Sequence, residues 1–329
     1  MAFRKARINA ISEFTERHGG RSLQNQPREP ILTPPARVGE CRLAANPKSH
    51  CMIPSSDEFE TFDGLSLFVR RRVPQARSPR GRVAIVHGYA EHSGRYENLV
   101  ERLLAAGLGV GQFDLRGHGR SEGPRGFVRD FENYVNDLER FIAIERDLDA
   151  ARPLFLLGHS MGGLIAARWV VSRATPISGL LLSGPALKID ERIHPWLQRL
   201  SGAIGSLAPR LPTVRIDERA LSRDPEVVQS FRDDPLVFHG RMPARTGAEI
   251  VRVSKQIGGQ FAKLTLPVLF MHGTADRLAD PEGSRQACQS AAAADKTLKL
   301  YSGLYHEIFH EPEREQVFDD LVQWLEART

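Results

Sequence analysis

Short apolar runs alternate with segments of helical periodicity along most of the chain. Runs of strand length lie at residues 65–69, 82–87, 108–113, 153–157, 177–182, 267–271 and 297–301. Segments with apolar side chains at helical spacing lie at residues 94–106, 131–148, 161–173 and 281–292, and a last amphipathic helix carries Val317, Leu321 and Trp324. Doubly buried strands separated by helices predict a mostly parallel central sheet flanked by helices.

Residues 187–262 interrupt this alternation and show no strand pattern. Trp196, Leu200 and Ile204 indicate one helix, and Thr246 with Glu249 forms a capping-box sequence that predicts the start of another. We therefore expect a helical lid at 187–262, inserted into a core formed by 53–186 and 263–329. The alternative is an ordinary helical decoration of the core.

The charge is concentrated at the N-terminus. The chain of 329 residues has a net charge of +5, but 9 of its 45 Lys and Arg and only 4 of its 40 Asp and Glu lie in residues 1–52, which leaves the remainder neutral. Residues 1–52 also hold five prolines and few apolar positions, which predicts a disordered basic tail. Met52 is an alternative start of translation. The neutral body argues against a nucleic-acid partner.

The cysteine content and the absence of certain motifs exclude several classes of protein. Three cysteines are too few for a disulfide scaffold and suit a reducing, cytoplasmic location. No Cys-x-x-Cys or His-Glu-x-x-His pattern occurs, and neither a metal nor a cofactor is expected. No apolar run reaches the length of a membrane span.

The sequence Gly158-His159-Ser160-Met161-Gly162 carries the candidate nucleophile. It matches G-x-S-x-G and lies between a predicted buried strand and a predicted helix, which is the setting of a nucleophile elbow. Ser160 would project from the carboxyl edge of the sheet, and the backbone N–H of Met161 at the helix start would face the reacting carbonyl.

A serine hydroxyl needs a general base, and the base in turn needs an acid. In elbow enzymes the chain order is Ser, acid, His, which favours His306 in the loop before the last helix, with His310 as the competitor. Asp276 follows the strand at 267–271 and is the predicted acid. Its competitor Asp280 precedes Pro281, the signature of a helix N-cap.

Two further loops follow predicted strands. The backbone N–H of Tyr89, after the strand at 82–87, is the second predicted oxyanion donor, and His87 is expected to brace that loop. The sequence at 114–121 could bind phosphate, but it lacks a glycine-rich lead into a helix. It is expected to form a tight, internally hydrogen-bonded loop.

Several motifs together resemble one family. H-G-Y-A-E-H-S-G-R-Y at 87–96, D-L-R-G-H-G-R-S at 114–121, G-H-S-M-G-G at 158–163, G-T-A-D-R-L at 273–278 and Y-H-E-I-F-H-E at 305–311 resemble the monoacylglycerol lipase and lysophospholipase branch of the α/β-hydrolases. The resemblance implies the same triad and the same oxyanion donors. It also implies that Glu91 and Arg95 bind a glycerol head group, with a structural ion pair as the alternative. Tyr89 departs from the family's small residue and could crowd the site.

These observations predict a serine carboxylic-ester hydrolase with an acyl-enzyme intermediate and a small lipid ester as substrate. Contact with a membrane surface through the lid is part of this expectation, whereas the oligomeric state has no signal in the sequence. One alternative is a proline iminopeptidase-like amidase, in which acids such as Asp190, Glu191, Asp217 and Glu218 would hold the substrate ammonium. The other is a non-catalytic binding protein with the same fold.

Overall fold

The computed structural model describes residues 58–75, 78–173, 177–188 and 202–329. The chain divides into two units, residues 1–50 and 51–329, and every described residue belongs to the second. The expected tail at 1–52 and the expected lid helix around Trp196 lie outside the described residues. The domain boundaries at 52, 186 and 262 therefore remain predictions.

An eight-stranded sheet forms the centre of this unit. Its strands are β1 (Glu58–Glu60), β2 (Ser66–Arg72), β3 (Arg82–Val86), β4 (Gly109–Phe113), β5 (Leu154–His159), β6 (Gly179–Ser183), β7 (Val268–Gly273) and β8 (Lys296–Tyr301). Their spatial order is β1-β2-β4-β3-β5-β6-β7-β8. The pairs β1–β2 and β2–β4 are antiparallel and all the other pairs are parallel, as the sequence predicts for the core.

Helices cover both faces of the sheet. They are α1 (Glu97–Ala105), α2 (Glu132–Leu148), α3 (Met161–Ser172), α4 (Pro225–Asp233), α5 (Ala244–Ile257), α6 (Pro281–Ser290) and α7 (Arg314–Glu326). Alternate residues of one strand enter two separate hydrophobic clusters: Ala84 joins the cluster with α2 and α3, and Ile85 joins the cluster with α1 and α7. This two-sided burial explains why β3 to β7 are mostly apolar on both faces rather than alternating between apolar and polar positions.

The insertion between β6 and β7 is helical in its described part. Residues 202–207 are helical, α4 and α5 follow, and a 3₁₀ segment occupies Gly258–Lys263. Among these residues the only β-type pairing is an isolated bridge between Pro212 and Pro243. None of the helices in the described part of the chain combines the length and the apolar composition that a bilayer crossing requires.

The capping-box prediction at Thr246 is wrong. Helix α5 begins two residues earlier, at Ala244, and its N-cap is Pro243. The Thr246 hydroxyl instead accepts from the Val128 N–H at 3.0 Å and donates to the Gly126 carbonyl at 3.1 Å. Hydrogen bonds to the loop that holds Gly126 and Val128 therefore replace the local cap, because Thr246 is buried against that loop.

Candidate active site

Ser160 lies in a strained turn between β5 and α3. Its φ of 55° and ψ of −118° place a non-glycine residue in a disfavoured region. Its N–H donates to the Ser183 carbonyl at 3.0 Å, which fixes the turn to the carboxyl end of β6. A Cβ on Gly158 would lie 2.5 Å from the Gly162 carbonyl oxygen. Strand and helix therefore approach more closely than any larger residue at position 158 permits.

Asp276, in the turn after β7, is almost fully enclosed. Its Oδ1 accepts the N–H groups of Leu278 and Ala279 at 2.8 and 3.0 Å. Its Oδ2 accepts from His306 Nδ1 at 2.7 Å and from His272 Nε2 at 3.0 Å. Four donors therefore hold one carboxylate in a single orientation.

His306 lies in the loop between β8 and α7, and the structure brings it onto Asp276. Its ring lies 4.8 Å from the ring of His159, the neighbour of Ser160. A Cβ on Gly184 would contact both His306 Nδ1, at 3.3 Å, and Asp276 Oδ2, at 3.5 Å. His310 points elsewhere: its Nδ1 lies 3.0 Å from Glu307 Oε2, and its Nε2 donates to the Arg95 carbonyl.

Burial and ion pairing shift the pKa values of the titratable groups in this site in opposite directions. Burial alone would raise the pKa of Asp276, but the two histidines lower it well below its usual range. Burial likewise disfavours the charged form of His306, yet Asp276 raises its pKa above the ordinary value of 6.5. The pKa of His159 falls to about 4, because it is buried and lies beside His306. The imidazole of His159 is therefore neutral near pH 7.

The loop after β3 passes directly over Ser160. A Cβ on Gly88 would lie 3.1 Å from the Ser160 Cβ. Among the described residues, neither the Tyr89 N–H nor the Met161 N–H donates to another protein group. Ala90 has a φ of 72°, so the loop is strained where it turns.

Two side chains fix that loop from within the protein. His87 Nδ1 donates to the Gly88 carbonyl at 2.7 Å, while its Nε2 accepts the Leu115 N–H. The Tyr89 hydroxyl donates to the Gly126 carbonyl at 3.1 Å, and its ring packs edge-on against His118. The Tyr89 side chain is therefore engaged with neighbouring loops.

Glu91 and Arg95 belong to a buried charge cluster. Glu91 Oε1 accepts from the Gly88 N–H at 2.5 Å and from the Tyr96 hydroxyl at 2.7 Å. Arg95 lies between two carboxylates, with its Nε 3.4 Å from Glu91 Oε2 and its Nη2 2.7 Å from Glu307 Oε2. One guanidinium thus connects the loop over Ser160 with the loop that carries His306.

The 114–121 segment is the tight loop that the sequence predicts. Asp114 accepts the N–H groups of Ser93 and Arg120, both at 2.8 Å. Arg116 forms paired bonds to Asp137 and to Asp63. The side chains of Asp114 and Arg116 are therefore bonded within the protein, which favours a structural loop over a phosphate site.

His272 is the neighbour of Asp276 that the sequence argument did not assign. It lies inside β7, ahead of the last strand, so the chain order of elbow enzymes does not single it out. Its spacing of four residues from Asp276 is a signal that could have found it. No cluster of potential metal ligands occurs among the residues that the structure describes.

Comparison with known proteins agrees with this geometry. The profile of the family described as serine aminopeptidase S33 matches residues 77–313. A monoacylglycerol lipase from Mycolicibacterium smegmatis is 41% identical over 247 residues, which cover 75% of this chain and 88% of that protein. The chain belongs to the monoacylglycerol lipase-like α/β-hydrolases.

Two further relatives agree with this assignment. Phospholipase YtpA of Bacillus subtilis is 33% identical, over 74% of this chain and 94% of its own length. The crystal structure of the Paleococcus ferrophilus monoacylglycerol lipase superposes with a TM-score of 0.73 at 34% identity, covering 80% of this chain and 99% of that one. This α/β-hydrolase is a serine carboxylic-ester hydrolase.

Proposed function

We propose that Ser160, His306 and Asp276 form the catalytic triad of this hydrolase. The observation that carries the proposal is the 2.7 Å bond from His306 Nδ1 to Asp276 Oδ2, beside the strained turn at Ser160. Nε2 of His306 takes the proton of the Ser160 hydroxyl as Oγ attacks the ester carbonyl, and it returns that proton to the departing alkoxide. Water, activated by the same nitrogen, then cleaves the acyl-enzyme to a carboxylic acid and free Ser160.

The N–H groups of Tyr89 and Met161 are the proposed oxyanion donors. Both are backbone groups at the carboxyl edge of the sheet, and the Met161 N–H belongs to the first turn of α3, where the helix dipole favours negative charge. Glu91 supports the first donor, because it accepts the N–H of the preceding residue Gly88. The donors are therefore held in place before the substrate arrives.

For Glu91 and Arg95 the contacts favour the structural ion pair over a head-group role. Both side chains are about 95% buried and already paired. The variant Glu91→Gln distinguishes the roles when a monoacylglycerol and a nitrophenyl ester of the same acyl chain are compared. A positioning role lowers kcat for both esters, whereas a head-group role raises KM for the glycerol ester alone.

The proposed substrates are monoacylglycerol-like or lysophospholipid-like esters, and the relatives that support this proposal are named a monoacylglycerol lipase and a phospholipase. The amidase alternative requires free acids near the site. Among the described lid residues, Asp217 pairs with Arg219, and Glu218 pairs with Arg232 at 2.7 Å. Asp190 and Glu191 lie outside the described residues, and the two described carboxylates already pair with arginines, which disfavours them as partners of a substrate ammonium.

A hydrolysis panel tests this choice. We would compare kcat/KM for monoacylglycerols, lysophospholipids, short nitrophenyl esters and prolyl amides, with Ser160→Ala as the background control. We expect the lipid esters to be cleaved and the prolyl amides to remain intact. Faster cleavage of the amides would identify an iminopeptidase instead.

We further propose a cytoplasmic protein that meets a membrane surface through its lid. Leu207, Leu211 and Val214 are exposed large apolar side chains within one short stretch, and Leu207 is 88% exposed. Arg210 and Arg215 lie in or beside this stretch. Apolar side chains beside cations suit an anionic lipid surface.

Vesicle sedimentation tests this contact. The double variant Leu207→Ser/Leu211→Ser should lose binding to vesicles that contain phosphatidylglycerol. Leu148→Ser, at the end of α2, is the control because it removes a leucine from another surface whose exposure, 53%, is close to the 49% of Leu211. Equal binding by all three proteins would contradict the proposal.

A further inference from the structure

Two histidines share one oxygen of Asp276. His306 and His272 both lie within 3.0 Å of Oδ2, while Oδ1 is occupied by two backbone N–H groups. His272 is fully buried in β7, so water does not compete for its ring. The triad scheme leaves this second donor without a role.

The hydrogen bonds of His272 determine where its proton lies. A carboxylate only accepts, and the Ala279 carbonyl, 3.2 Å from the same Nε2, also only accepts. Nε2 therefore carries the proton. Nδ1 of a neutral ring is then an acceptor, and it takes the Ser284 hydroxyl proton at 2.7 Å. Ser284, at the start of α6, thus holds His272 in the tautomer that donates to Asp276.

We propose that His272 is a positioning residue that limits the basicity of His306 through their shared oxygen on Asp276. Each donor on a carboxylate oxygen withdraws charge from it, so Oδ2 stabilises the His306 imidazolium less than it would with one partner. The proposal rests on the proposed triad, because His272 acts on the reaction only through Asp276 and His306.

Other charged groups surround the two histidines. Glu91, Glu307 and His159 act on His306, and Asp280, paired with Lys188, lies close enough to His272 for the two to interact. These groups are the same in every variant compared below. A difference between variants therefore measures the contribution of His272.

The test is the pH profile of kcat/KM for a soluble short-chain monoacylglycerol. The rate is measured by titrating the acid that hydrolysis releases. In His272→Leu the acidic limb should move to higher pH by about half a unit or more, because Oδ2 loses a donor. His272→Gln, whose amide N–H can replace Nε2–H, should return the limb toward the wild-type position. Ser284→Ala should move it in the same direction as His272→Leu, but less.

His239→Leu is the matched control, since His239 contacts the Asp234 carbonyl in the insertion. The acidic limb of its kcat/KM profile should have the same midpoint as that of the wild-type protein. An unmoved limb in a folded His272→Leu or Ser284→Ala protein would overturn the proposal, and so would a move to lower pH. Labelling of wild-type Ser160 by a fluorophosphonate tests the triad separately, so failure of the proposed function is distinguishable from failure of this inference.

Discussion

Replacement of Asp276 by Asn has an outcome that the hydrogen bonds dictate. The Leu278 and Ala279 N–H groups need an acceptor where Oδ1 now lies. Only the carbonyl oxygen of the asparagine can serve, because its NH₂ group has no acceptor capacity. The NH₂ group must therefore face His306 Nδ1 and His272 Nε2.

This orientation inverts the His306 tautomer. A donor opposite Nδ1 requires a lone pair there, so the ring proton moves to Nε2, the atom that should accept the Ser160 proton. We expect kcat to fall by about 10⁴-fold with little change in the fold. That factor corresponds to about 5.5 kcal/mol of lost transition-state stabilisation.

Asp280→Asn is the matched control for this variant. Asp280 accepts the Glu282 N–H as the N-cap of α6, and an asparagine caps a helix about equally well. Titration of released acid gives kcat for both variants, and thermal unfolding checks that both are folded. A folded Asp276→Asn enzyme with more than about a tenth of wild-type kcat would refute the reasoning, as would an equal loss in Asp280→Asn.

Three further predictions concern stability, pH and the N-terminal segment. Glu145→Gln should lower the free energy of unfolding in urea by about 3 kcal/mol, because the fully buried Glu145 pairs with Arg71 and Arg82; a loss below about 1 kcal/mol would show that these arginines find other partners. The acidic limb of kcat/KM should have its midpoint above 6.5, because Asp276 raises the pKa of His306 and only the neutral imidazole is a base; a midpoint below 6.5 would contradict this. A chain that begins at Met52 should keep the melting temperature and specific activity of the full chain, and a clear drop in either would show that residues 1–51 stabilise the core.

The sequence predicts the sheet well because its strands are physically distinctive. A strand buried on both faces is apolar at most positions, so β3 and β5 are visible as short runs that end near glycine. The site residues Ser160 and Asp276 can be predicted for the same reason, since each of them follows a predicted strand. Contacts between residues that lie far apart in the sequence produce no such local pattern. Arg95 and Glu307 are 212 positions apart, and only the fold brings them together.

One missed helix of the insertion did have a local signal. Helix α4 begins with Asp224 and Pro225, the same N-cap and first-turn residues that mark Asp280 and Pro281 at α6. The lid residues Ile257 and Phe261 pack into the core cluster of α3. Packing of the insertion onto the core therefore accounts for the apolar spacing of these two residues.

The most direct test of the account is covalent labelling of Ser160. A fluorophosphonate probe is allowed to react with the wild-type protein and with Ser160→Ala, and the adduct is located by peptide mass spectrometry while ester turnover is measured in parallel. We predict one adduct, on Ser160, and loss of both labelling and turnover in the folded variant. A variant that still hydrolyses the ester, or a wild-type adduct on another residue, would contradict the account.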